Sequence, residues 1–374
     1  MVLGKCFEKF LERSPVSVMV RGTLERVFDP AKLERVFADH ALLQDTRALT
    51  FAQCVGLMSD VVFRIAPTVG AWYKTHREDL TVTRQAVYDK LKRLELPIAA
   101  GLVRYAGREL AACLQQMPAQ PRTLLRGYRV RVLDGNHLAG TEHRLGALRR
   151  YRAAALPGQA LVFYDPQLDL ATEVIPCEDA YAQERSLLQE VLAAVTARDC
   201  IVADRNFCTT GVVFGLARRG AFFVIRQHAS TLTGHLQGPR RYVGQDERGR
   251  ALYEQALSLI EADTEATLVV RRITLQLLTP TRQGETELHI LTNLPPEDAD
   301  AGQVAALYAD RWTIEAAFQH LTLDLHCEVD TLGYPRAALF GFCVALVAYN
   351  VVALVKGALR AVHGTEYVAE QLSM

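Results

Sequence analysis

Between Arg336 and Lys356 lie 19 residues, LFGFCVALVAYNVVALV among them, whose one strongly polar side chain is Asn350. A helix that is apolar on every face must be covered on every face, by lipid or by a large protein core. The length nearly suffices to cross a bilayer, but no second segment of this kind occurs. Half of the 374 residues are hydrophobic, enough for a core and too many for general disorder. The expectation is a buried helix inside one large domain or two to three ordinary ones, with no membrane partner. The N-terminal MVLGKCFEKFLERS lacks the long apolar run of a signal peptide. The eight Cys show no CxxC pair and sit mostly among apolar neighbours, as reduced thiols of a cytoplasmic protein do.

Residues 1 to about 125 read as helical, with apolar residues at mixed three and four spacing in FAQCVGLMSDVVFRIAP and over 108–117. Within them, DLTVTRQAVYDKLKRLE looks like the second half of a helix-turn-helix. Thr83 would cap it, Ala86, Val87, Leu91 and Leu94 would face inward, and Arg84, Gln85, Lys90, Lys92 and Arg93 would stay outside for DNA. A solvated amphipathic helix gives the same pattern. From residue 128 the period changes to that of strands: 128–134, 160–164 and 172–176. A helix over 180–197, a short apolar strand over 200–204, a helix over 210–219 and a strand over 221–226 follow. Residues 231–294, with TLVVRRITLQLL and ELHILTNL, read as a β-rich insertion. After Pro295-Pro296 the chain returns to helix, over 303–323 and again over 337–356. The organisation expected is a helical DNA-binding region (1–125), a core in two parts (126–230 and 295–374) and the insertion between them.

Three acids stand out by position. Asp134 closes the first strand and precedes Gly135; Asp204 closes the fourth and precedes Arg205-Asn206-Phe207. Carboxylates at the tips of apolar strands are held by a rigid core yet remain reachable by a polar ligand. If the two strands are neighbours, their oxygens can share one Mg²⁺, which takes a few hard carboxylates and leaves its other positions to water and phosphate. Each Asp taken alone reads equally well as the start of a turn. In LYADRWTIEAAFQHLTLDL, Tyr308, Arg311 and Glu315 fall at offsets 0, 3 and 7, on one face of a helix anchored by Trp312. Glu315 beside Arg311 is either a structural ion pair or a third metal carboxylate, with Arg311 and Tyr308 on phosphate oxygens.

VLDGN, VADRNF and Y-x2-R-x3-E, in this order and with LTNLP before the last, resemble the signatures of insertion-sequence transposases marked by a Tyr-Arg-Glu-Lys (YREK) motif. The resemblance covers about residues 128–356. It implies an α/β fold, an RNase H-like mixed sheet flanked by helices. It implies a DDE triad of Asp134, Asp204 and Glu315 holding two Mg²⁺ (or Mn²⁺) ions, with Tyr308 and Arg311 as phosphate contacts. The implied reaction is metal-dependent cleavage and strand transfer of double-stranded DNA at an element's inverted repeats. In the family this often passes through a DNA hairpin, in cut-and-paste fashion, and the implied assembly on DNA is a homodimer. One position departs from the pattern: the motif's Lys falls on Thr322, and no Lys occurs between 93 and 355. Neutral Thr cannot grip phosphate as a cation does, so the alternative expectation is a decayed, transposase-derived protein that binds DNA without cutting it.

Lys+Arg and Asp+Glu both number 42, so attraction to DNA has to be local. Seven of the cations are Lys and the other 35 are Arg, a bias that suits phosphate and that a GC-rich genome also produces. Candidate clusters are Arg122, Arg126, Arg129 and Arg131; Arg144, Arg149, Arg150 and Arg152; and Arg240 with Arg241, while Arg205 adjoins the second acid. Other chemistries lack a foothold. His137 and His143 near Asp134 have no partner at zinc spacing, there is no P-loop or GxSxG elbow, and two Trp are few for a sugar cleft.

Overall fold

A computed structural model of the chain describes residues 14–44, 49–117, 123–138, 158–228, 232, 234–281, 284–323, 325, 327, 332–364 and 368. Arg122, His143, Arg144, Arg149, Arg150 and Arg152 lie outside the described residues.

The N-terminal region is helical: α1 (Pro15–Val27), α2 (Pro30–His40), α3 (Phe51–Val62), α4 (Val69–Thr75), α5 (Arg84–Arg93) and α6 (Leu96–Gln115). Local signals start several of them. Proline opens α1 and α2, where its missing N–H costs nothing. Thr50 and Gln53 form a reciprocal capping box on α3, and Thr83 caps α5 by accepting from the Ala86 N–H at 3.2 Å. On α5, Val87, Leu91 and the following Leu94 are buried as expected, but Ala86 is exposed.

Nine strands form one sheet: β1 (Arg129–His137), β2 (Gln159–Asp165), β3 (Leu170–Cys177), β4 (Asp199–Ala203), β5 (Phe222–Arg226), β6 (His235–Gln245), β7 (Ala251–Ile260), β8 (Thr267–Gln276) and β9 (Glu287–Thr292). Their order is β3-β2-β1-β4-β5-β9-β8-β7-β6. The first three strands are an antiparallel meander, and β4 and β5 add in parallel beyond β1. This is the RNase H-like order, and the fold class is α/β. The β-rich insertion does not make a sheet of its own. Its last strand β9 pairs antiparallel with β5 and carries β8, β7 and β6 outward as a continuation of the core.

Side-chain alternation divides the hydrophobic residues between the two faces. Val130 and Val132 of β1, Cys200 and Val202 of β4 and Val224 of β5 join the N-terminal helices in one cluster. Leu133, Ile201, Ala203, Phe223 and Ile225 pack on the opposite side with α7 (Leu188–Ala193) and α8 (Thr210–Arg218). The chain then forms α9 (Ala301–Ala309), α10 (Trp312–Leu323) and α11 (Pro335–His363). The last contains the apolar segment, and 94% of its most apolar window is buried against α6, α3 and β3. Asn350, fully buried, explains its own presence there. Its amide accepts from the Ala171 N–H and donates to the Ala171 carbonyl, both at 2.8 Å, capping the outer edge of β3.

Two helices differ from the sequence expectation. Over 180–197 a 3-10 turn (Glu184–Leu187) and the short α7 replace a long helix. Local bonds compete there: Asp179 accepts from the Tyr181 N–H, and the Ser186 hydroxyl donates to the Gln183 carbonyl. The helix expected over 303–323 breaks between α9 and α10. The N–H groups of Arg311, Thr313 and Ile314 bond three residues back, and the Thr313 hydroxyl donates to the Asp310 carbonyl at 2.6 Å.

Candidate active site

β1 and β4 are parallel neighbours, and the last paired couple is Leu133 with Ala203. Asp134 and Asp204 are therefore the next residues on adjacent strands. Asp134 does not end its strand, because β1 runs on to His137 in pairing with β2. Asp204 does begin a turn: its carboxylate accepts from the Asn206 N–H at 2.8 Å. Asp134 Oδ1 accepts from the Gly135 N–H at 2.9 Å, and Oδ2 accepts from Arg311 at 3.0 Å. The same guanidinium meets Glu315 Oε1 at 2.8 Å. Arg311, 8% exposed and placed in the break between α9 and α10, thus ties the first and third acids together.

Tyr308 is buried, with the Arg311 guanidinium 5.9 Å from its ring centre. Trp312 is not an anchor, since it is 62% exposed and covers Arg311 from outside at 5.1 Å. Ile314, Ala317 and Leu321 fix α10 to the core instead. Thr322, at the position of the motif's Lys, is exposed and donates its hydroxyl to the Phe318 carbonyl at 3.0 Å.

A fourth acid, absent from the sequence reading, joins the cluster. Glu184, at the start of the 3-10 turn, lies against the bare face of Gly135, where a Cβ would collide with Glu184 Oε1. Its other oxygen accepts from the Asn206 amide at 3.4 Å. Burial, helped by repulsion from Asp204 and Asp134, pushes the Glu184 carboxyl up to about 7. Burial likewise pushes Asp134 up to about 6, outweighing the attraction of Arg311, while Asp204 and Glu315 repel it. The signal available in the sequence was Gly135, since a glycine inside a strand marks a close approach.

As the side chains lie, no three acids, histidines or cysteines among the described residues are gathered closely enough to enclose a metal ion. The arrangement nevertheless suits one in its chemistry: hard oxygen donors that repel one another, the Glu184 carboxylate set where Gly135 lacks a Cβ, and Arg311 as the neutralising charge on one side.

The remaining sequence candidates divide. Arg205 is half-buried beside the acids and lines a pocket with Arg185, Asn206 and His228. Arg84, Lys90, Lys92 and Arg93 belong to α5, which packs on α4 and α11 rather than on the acidic cluster. Of these, Lys90 lies over the Phe37 ring and Lys92 over the Tyr334 ring, and Arg84, Lys92 and Arg93 are exposed. Arg129 and Arg131 are drawn to Asp199, and Arg131 is buried over Phe163, so it is withdrawn from any DNA. Arg240 pairs with Glu287, while Arg241 is largely exposed. His137 forms no zinc cluster among the described residues.

The family model of the transposase DDE domain matches residues 125–351, a span that contains Asp134, Glu184, Asp204 and Glu315. A solved piggyBac transposase synaptic complex with hairpin DNA is similar at a TM-score of 0.43 and 9% identity, covering 96% of this chain and 77% of that chain. No curated protein matches the sequence.

Proposed function

This chain belongs to the DDE transposase family, and we propose that it serves an insertion sequence of the YREK-signature kind. It cleaves double-stranded DNA at the element's inverted repeats and joins the freed ends to target DNA, in cut-and-paste fashion with a hairpin on the way. The observation that carries the reading is the Arg311 bridge, which brings Asp134 of β1 and Glu315 of α10 to one place beside Asp204.

Asp134, Asp204 and Glu315 would hold the divalent cations that transposases of this family generally use. Two Mg²⁺ or Mn²⁺ ions would activate water or a DNA 3′-hydroxyl and stabilise the leaving oxygen. The protein's own part is positional. Arg311 orients two of the acids by reaching Asp134 and Glu315 with its two terminal nitrogens. Tyr308 buttresses that guanidinium from the core side. Arg205, in its pocket, lies where the DNA backbone would pass the second acid. Arg84, Lys92 and Arg93 face solvent and suit contact with duplex DNA away from the cut. The working assembly is a homodimer on two element ends.

A second reading has one observation in its favour. Thr322 spends its hydroxyl on its own helix and adds no cation, as in a decayed copy that binds DNA without cutting. A nicking assay on the element's ends separates the two. The proposal expects Mg²⁺- or Mn²⁺-dependent cuts that vanish in Asp134→Ala and Glu315→Gln. Undiminished nicking in both variants contradicts the catalytic assignment, and DNA binding without any nicking by the wild type favours decay.

A further inference from the structure

We propose that Glu184 is a fourth carboxylate of the active centre, and that a divalent cation is held on its side by Asp134, Asp204 and Glu184 together. The inference rests on the DDE reading and assigns a residue outside the triad.

Three observations lead there. The first is space. The Glu184 carboxylate occupies the space that a Cβ on residue 135 would take, so the group set into this cradle is an acid. Packing alone would favour an apolar side chain or an amide, since a half-buried carboxylate facing two others is costly without a cation. The second is shared orientation. Asn206 gives its backbone N–H to Asp204 and its side-chain amide to Glu184, so one residue sets both carboxylates. The third is the distribution of charge. Arg311 reaches Asp134 Oδ2 and Glu315 Oε1 from the α10 side, buried to 8% exposure with its Nε unpartnered. On the opposite side of Asp134, Asp204 and Glu184 accept from the neutral donors of Asn206. As they lie, the three carboxylates do not enclose an ion, but a cation entering on that side would draw them together without displacing Arg311.

The test uses the full-length chain stripped of metal, titrated with MnCl₂ while its melting temperature is followed and free Mn²⁺ is counted by electron paramagnetic resonance. Glu184→Gln keeps the shape and removes one of three mutually repelling charges. It is expected to melt no lower than wild type without metal, and to need at least about tenfold more Mn²⁺ for the same gain. Gly135→Ala leaves every charge in place but drives a Cβ into the carboxylate, and is expected to weaken Mn²⁺ binding likewise. Glu190→Gln, exposed on α7, is expected to match wild type in both readouts.

Glu184→Gln binding Mn²⁺ as wild type does, while Asp204→Asn does not, overturns the assignment of Glu184 and leaves the DDE reading standing. A lower metal-free melting temperature in Glu184→Gln with unaltered Mn²⁺ binding also overturns it, marking a structural residue. If Asp134→Asn and Asp204→Asn bind Mn²⁺ like wild type, or wild type binds none, the active-centre reading fails and Glu184 falls with it.

Discussion

Replacing Asp134 by Asn should make the metal-free protein more stable, by an amount that grows with pH. Burial pushes the Asp134 carboxyl from 3.8 up to about 6, even with Arg311 at 3.0 Å. The folded state therefore holds this proton more tightly than the unfolded chain does, and stability falls as pH rises between those two values. The side chain is only 17% exposed, so little of the effect is screened by solvent. The difference corresponds to ~3 kcal/mol lost by pH 7 relative to pH below 4, at about 1.4 kcal/mol per pH unit. For a chain of 374 residues this is a melting shift of about 4 °C. Other acids, such as Asp199 beside Arg129, are held below the usual carboxylate range and push the opposite way. The quantity to measure is therefore the difference between Asp134→Asn and wild type, by calorimetry in EDTA from pH 4 to 7.5. The difference should grow in favour of the variant up to about pH 7 and shrink when Mn²⁺ is added. A constant difference across that range, or one that turns against the variant as pH rises, would refute the reasoning.

Three further outcomes follow from particular contacts. Asn350→Leu strands the Ala171 N–H and carbonyl in the core and should cost about 2–4 kcal/mol in urea unfolding, after the added apolar burial is set against it; an unchanged midpoint would contradict this. Thr322→Lys puts a cation on the exposed side of α10 and should steepen the salt dependence of DNA binding by about one unit of log–log slope, measured by fluorescence anisotropy. Replacing Arg84, Lys92 and Arg93 together by Ala should flatten the same slope by about 2 to 3, whereas Lys90→Ala, which lies over Phe37, should lower the melting temperature and leave the slope alone.

The strands and the long helix were legible because burial imposes a period or an unbroken apolar run. Alternation marked β1, and the apolar CIVA run before Asp204 marked β4, so the adjacency of the first two acids could be anticipated from the order of elements. The apolar run over 337–356 was recognised as a buried helix, but the partner of Asn350 lies 179 residues away and has no local trace. The break before Trp312 was not legible, since no Gly or Pro announces it and it arises from Thr313 bonding back to Asp310. Reading 303–323 as one helix also turned Trp312 inward, where the break leaves it exposed. Glu184 escaped because 180–197 reads as one amphipathic helix, on whose polar face it would be an ordinary acid, and only its contact with Gly135 and Asn206 distinguishes it from a surface acid. Arg131 misled in the other direction: in sequence it extends a basic cluster, yet in the fold it is buried with Asp199.

Anomalous diffraction from crystals grown with Mn²⁺ and an element-end duplex bears most directly on whether these carboxylates are a metal centre. The account predicts a manganese peak between the oxygens of Asp134 and Asp204, within ligating reach of Glu184, with the Glu315 carboxylate facing the same space. Manganese bound elsewhere, with Asp134 and Glu315 still closed on Arg311 and no density between the strand-end acids, would contradict it.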